Sequence, residues 1–310
     1  MTENDFDSIR SRLGWLPDFP SIRDYTMDQA EVSDKLKRLG QKDSIKVMLK
    51  NVGTPKAVKG PTISVDLRQW FSPVEDQGNL GSCTAHAGVG LVEYFEKRAF
   101  GKYINASRLF LYKVTRDLLH AKGDTGAFLR STMESMVLFG IPPEEYWPYS
   151  IAKFDVEPSA FLYAFADSYK TIQYYRLDPA GTPANVLLNR IKTNLISGLP
   201  SMFGFTVYNS INQAETTGNI PFPSSIDKVV GGHAVDAVGF DDSVEIKNTA
   251  KGSKTTKGAL LIRNSWGTSW GGIGGYLWLP YDYVTSGLAT DWWSVLKNEW
   301  IDTGQFGAPK

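Results

Sequence analysis

The chain has 310 residues but only one cysteine, three histidines and no net charge. A single thiol, Cys83, excludes an intramolecular disulfide, so packing alone must hold the fold. That absence favours a reducing interior, although export is compatible with it. The 33 basic and 33 acidic side chains cancel, leaving no long-range field to gather phosphates or anionic lipid. Nucleic acid and membrane are therefore not expected partners. No stretch approaches the roughly 20 apolar residues of a membrane span. Met1 to Arg10 carries Glu3, Asp5 and Asp7 with no apolar run behind it, the wrong pattern for a secretory signal. These absences describe a soluble protein, cytoplasmic or exported without a cleaved signal peptide. There is no internal repeat, and 42% hydrophobic with 21% charged residues excludes a disordered or fibrous chain.

What is present divides near residue 60. Residues 1–60 read as an appendage: an aromatic and proline opening (Trp15, Leu16, Pro17, Phe19, Pro20), a charged segment, then a Gly/Pro/Lys stretch. Met27, Ala30, Val32, Leu36 and Leu39 follow a helical stripe that Gly40 would stop, and a second short helix is expected near Ile45 to Leu49. The main domain, 61–310, starts helical. A long buried helix begins near Ser82, with others at about 105–119 and 127–139. After about residue 170, short β-rich runs dominate: Ser201 to Tyr208, His233 to Phe240, Ala259 to Arg263 and Tyr276 to Leu279. Pro183 to Ser197 interrupts them with a helical pattern, and Lys247 to Lys257 reads as an exposed loop. A helical half followed by a strand half implies an α+β fold of two lobes with a cleft between them.

The chemistry-bearing segment is Asp76-Gln77-Gly78-Asn79-Leu80-Gly81-Ser82-Cys83, a glycine-punctuated loop running into the buried helix. Cys83 falls in the first turn, where unpaired N–H groups and the helix dipole favour a thiolate. Gly78 and Gly81 permit close approach of a substrate backbone. Gln77 can present an amide N–H beside the N–H of Cys83, the two donors that a tetrahedral oxyanion requires. A thiolate nucleophile needs a proton carrier, and His233, opening a strand after Gly231-Gly232, is better placed than His86 on the nucleophile's own helix or His120 at a polar helix end. Asn264, at the end of the apolar run Leu260 to Arg263, can orient that imidazole, with Trp266 shielding the bond. A metal pair of Cys83 and His86 lacks two further ligands, so no cofactor or metal is expected.

Taken together, these motifs resemble the papain-like cysteine peptidases, in a disulfide-free form of bacterial or archaeal type. Asp76 to Cys83 is similar to the family's nucleophile signature, and Asn264-Ser265-Trp266-Gly267 through Gly275-Tyr276 to its asparagine signature. Pro61 to Asp66 resembles the mature start of family members, and the likeness extends to about residue 285. It implies a helical left lobe and a β-rich, barrel-like right lobe, with Cys83 as nucleophile, His233 as base and acid, Asn264 as orienting residue and Gln77 in the oxyanion hole. Polypeptides are the implied substrates and a monomer the expected state. Asp124, Thr125 and Gly126 would form the edge that pairs with substrate, with Gly232 and Trp266 also at the binding cleft. Leu80 and Thr84 depart from the family's usual cysteine and aromatic. Residues 1–60 are expected to cover the cleft as an intramolecular inhibitor, and Trp292, Trp293 and Trp300 to pack a C-terminal extension on the right lobe. A non-catalytic relative and a different acyl-transfer chemistry are the competing classes.

Overall fold

A computed structural model describes residues 9–55, 64–171 and 173–307. The expected boundary near residue 60, the mature-like start at Pro61 and most of the acidic opening lie outside these residues. The N-terminal part carries helices α1 (Asp34–Arg38) and α2 (Ile45–Val52). Helix α1 is shorter than the apolar stripe predicts. Ser33 caps it by accepting the Leu36 N–H, while the chain ahead is tied to the sheet by the Tyr25 carbonyl, which accepts the Arg176 N–H, and turns at residues 26–29. Tertiary pairing thus removes Met27, Ala30 and Val32 from the helix.

The helical lobe is built around α3 (Cys83–Phe100), which Gly101 ends in the left-handed conformation. Its neighbours are α4 (Arg108–Leu118), capped by Ser107, and α5 (Leu129–Leu138). Small residues let α3 sit deep. A Cβ on Gly88 would press on Thr132 and Leu111 at 3.2 and 3.3 Å, and one on Gly90 would reach 2.6 Å from the Asp236 carboxylate of the sheet lobe. The helix is therefore seated against both lobes, and its N-terminus emerges where they meet.

The second lobe is a seven-stranded antiparallel sheet. Its strands are β1 (Ser64–Asp66), β2 (Gln173–Arg176), β3 (Ser201–Tyr208), β4 (Val229–Lys247), β5 (Thr255–Arg263), β6 (Tyr276–Pro280) and β7 (Ala289–Leu296), in the order β2-β7-β3-β4-β5-β6 with β1 on β4. The expected loop from Lys247 to Lys257 is the tip of a hairpin: its ends belong to the strands, Lys247 pairing with Thr255, and residues 248–254 lie outside them. The expected C-terminal extension is also corrected. Residues 289–296 form the strand between β2 and β3, and Trp292 and Trp293 are fully buried in the core. Trp300, in α6 (Asn298–Ile301), stacks on Phe95 of α3, 5.2 Å between centroids, and so packs on the helical lobe rather than on the sheet.

Candidate active site

The loop before α3 is stitched to the loop after β5. The Gln77 N–H donates to the Ser265 carbonyl at 2.9 Å and the Gly267 N–H to the Glu75 carbonyl at 3.1 Å. This pairing brings the start of a helix in one lobe against strand ends in the other. Cys83 lies at the junction, fully buried. Backbone N–H groups of Ala234, Gly14, Thr84 and Cys83 itself act on its sulfur, so the thiol stands beside the residue that follows His233.

His233 is buried with its Nε2 2.8 Å from Asn264 Oδ1. A carbonyl oxygen only accepts, so Nε2 carries the hydrogen and Nδ1 is the bare nitrogen. Nδ1 is buried and makes no hydrogen bond. Trp266 covers the ring, with centroids 4.7 Å apart. The third element is Gln77, whose Oε1 accepts the Ser265 hydroxyl, fixing the amide so that Nε2 points to the Leu80 carbonyl at 2.6 Å and the Arg12 carbonyl at 2.9 Å.

Burial dominates the electrostatics. Desolvation pushes the Cys83 thiol up to about 11 despite four backbone N–H groups that favour the thiolate. It also pushes His233 down to about 4, against the Asn264 hydrogen bond that raises it and with the Arg12 charge lowering it further. Burial therefore opposes both the thiolate and the imidazolium, because excluding water costs the charged forms more than the helix end returns.

What excludes water is the chain's own N-terminal segment. Residues 12–16 run through the cleft. Trp15 donates its N–H to the Gly232 carbonyl at 3.2 Å and Leu16 to the Ala127 carbonyl at 3.0 Å, while Ala127 donates to the Gly14 carbonyl at 2.8 Å. Gly14 threads between two glycines: a Cβ on it would meet the Gly81 oxygen at 1.8 Å, and one on Gly126 would meet the Gly14 oxygen at 2.3 Å. Arg130 grips the continuation through Asp18, Asp24 and the Phe19 carbonyl.

The other residues singled out from sequence fall around this segment. Asp124 turns inward, its carboxylate accepting the Gly81 N–H at 3.0 Å and the Tyr112 hydroxyl. The Thr125 hydroxyl donates to the Gly126 carbonyl at 3.1 Å. Gly232 meets the Trp15 ring. His86 is a buried neutral residue, pushed down to about 3 and edged against Tyr149. The backbone of Ala127 was not singled out from the sequence, and neither were Gly204 and Asp291, which enclose Trp15. The signal for them was Trp15 itself, an aromatic in an otherwise charged opening.

Comparison with known proteins extends the likeness. Residues 62–296 match the family model described as papain family cysteine protease. An uncharacterised peptidase C1-like protein of Acanthamoeba polyphaga mimivirus is 35% identical over 237 residues, covering 74% of this chain and 71% of its own. Cathepsin K of Gallus gallus is 28% identical over 235 residues, 73% of this chain and 61% of its own, so the chain spans less than two thirds of that relative. Among solved structures, xylellain, a cysteine protease from Xylella fastidiosa, superposes with a TM-score of 0.68 at 29% identity, over 92% of this chain and 96% of that one.

Proposed function

The chain belongs to the papain family of cysteine proteases, and from that premise we propose that Cys83, His233, Asn264 and Gln77 hydrolyse peptide bonds in polypeptide substrates and that residues 12–16 hold the site shut. One observation carries this reading: the Arg12 carbonyl sits on the Gln77 amide, where the oxygen of a scissile carbonyl would sit, while the Gly14 N–H lies against the Cys83 sulfur.

With the segment withdrawn, water and substrate polar groups reach the thiol and imidazole, and the proton can pass from Cys83 to His233 Nδ1. The thiolate then attacks the peptide carbonyl carbon. Its oxygen gathers negative charge, which the Gln77 amide and the Cys83 N–H stabilise. The carbon–nitrogen bond breaks as the imidazolium gives its proton to the leaving amine, leaving a thioester. Water, deprotonated by His233, attacks that thioester and restores the thiol. Asn264 holds the imidazole by accepting from Nε2 throughout, and Trp266 keeps solvent from that bond.

Hydrolysis of a fluorogenic peptide by the full chain tests the assignment. Cys83→Ala and His233→Ala are expected to reduce turnover to background while the protein stays folded. Gln77→Ala is expected to lower kcat by about 10²–10³ with little change in KM, as for loss of one oxyanion donor. Unchanged kcat in the Gln77 variant, or turnover surviving in Cys83→Ala, overturns the assignment.

A further inference from the structure

Of the segment that fills the cleft, Trp15 reaches deepest, and the slot that takes it belongs to the sheet. Two of its walls are bare backbone: a Cβ on Gly204 would come within 1.9 Å of the Trp15 ring, and one on Gly232 within 2.7 Å. Those glycines lie on β3 and β4, where Phe205 pairs with His233 and Gly204 with Ala234, so the slot adjoins the imidazole. At its closed end the indole N–H donates to Asp291 Oδ2 at 3.1 Å. Asp291 stands on β7 with a φ of 63°, a conformation uncommon for a residue with a side chain, and is fully buried. Its other oxygen accepts the Trp293 indole N–H at 2.7 Å and lies 3.2 Å from Arg176 Nη1.

β7, β3 and β4 are consecutive neighbours in the sheet, so these walls do not depend on the segment that fills them. We propose that the slot occupied by Trp15 is where the opened enzyme reads its substrate, and that it selects a tryptophan side chain near the scissile bond. Flat glycine walls admit a planar bicyclic ring and pinch a branched aliphatic one. A phenylalanine leaves Asp291 Oδ2 without its donor, the kind of loss by which a polar site rejects an apolar analogue. An arginine or lysine would bury its charge beside the Arg176 guanidinium, which lies 3.2 Å from Asp291 and 2.9 Å from Asp178. The inference rests on the protease reading above and on the cleft-filling segment marking the substrate path.

The test uses the full chain carrying Trp15→Ala, which vacates the slot. A peptide library randomised on the acyl side of the cleaved bond locates the position. Matched peptides then carry tryptophan, its sulfur isostere benzothienylalanine, phenylalanine or arginine at that position. Tryptophan is expected to be enriched at one position, with kcat/KM at least about tenfold above the isostere, which has the same shape without the N–H. Adding Gly204→Ala, whose new methyl group projects into the ring's place, should remove the preference. Cleavage without tryptophan enrichment, equal rates for tryptophan and its isostere, or a preference untouched by Gly204→Ala overturns the inference while leaving the protease reading standing. Failure to cleave any library peptide by this chain and by the Gly14→Ala chain alike overturns both.

Discussion

Residues 12–24 and residues 34–52 both precede the family match, yet they are held by opposite means. The first stretch lies between the lobes and is fixed by backbone hydrogen bonds, one inserted indole and charged contacts to Arg130 and Arg176. The second lies away from the cleft and is fixed by apolar burial: Ile45 and Met48 are fully enclosed, and α2 packs on α6, with Asn298 accepting the Lys42 and Asp43 N–H groups. Directional contacts can be broken one at a time and leave a solvated cleft behind. Apolar burial lost from a core destabilises the whole molecule. On the proposed reading, residues 12–24 act as a plug and residues 34–52 as a brace, and removing both together would confound them.

The largest expected effect separates them at one atom. Gly14→Ala sets a methyl group against backbone oxygen of Gly81, which cannot rotate away, and costs the docked state about 3 kcal/mol. Turnover of a fluorogenic peptide by the full chain should rise about a hundredfold, with thermal stability falling only by what the buried Trp15 contributes. An unchanged rate would mean that residues 12–16 do not limit access.

Ile45→Ala is the mirror experiment. Removing a fully buried isoleucine is expected to cost about 2–5 kcal/mol of unfolding free energy, read from denaturant midpoints, while leaving turnover per folded molecule unchanged. Activation on the scale of Gly14→Ala would erase the distinction between plug and brace.

The two devices also differ in how far the sequence discloses them. Periodicity locates α3, α4 and α5 because their buried faces repeat, and the motifs lead to Cys83, His233, Asn264 and Gln77 because nucleophile, base and amide donor are rare residue types on rigid elements. Strand β7 escapes, since its two tryptophans and the left-handed Asp291 break the alternation that marks a strand. The plug escapes for a different reason. Its fit is made of backbone passing backbone at Gly14, Gly81 and Gly126, and of a slot assembled from Gly204, Gly232 and Asp291, residues on three strands whose adjacency only the fold creates. Small residues leave no pattern of their own.

Proton counting gives the smallest effect and the sharpest sign. With the plug seated, burial raises Asp291 to about 6 from an ordinary 3.8, outweighing the Arg176 charge and the two indole N–H groups that lower it. Once Trp15 leaves, water reaches the carboxylate and its affinity for protons falls. The docked form thus binds more protons between about pH 4 and 6, so docking strengthens as pH falls through that window and weakens as pH rises through 6. His233 has the opposite sense if it takes a proton from solvent on opening, because its docked value of about 4 lies below the ordinary 6.5. A proton passed from Cys83 to His233 changes no count, however, and a thiolate–imidazolium pair leaves Asp291 to set the slope, with Glu134, raised first by burial and further by Asp24 and Asp18 of the docked segment, acting in the same sense. Iodoacetamide alkylation of Cys83 in the full chain should therefore slow by about tenfold from pH 6.5 to pH 4.5, and Asp291→Asn should flatten the profile. Acceleration in acid would show that the imidazole draws its proton from water, and the pair proposed for the open site would then be wrong.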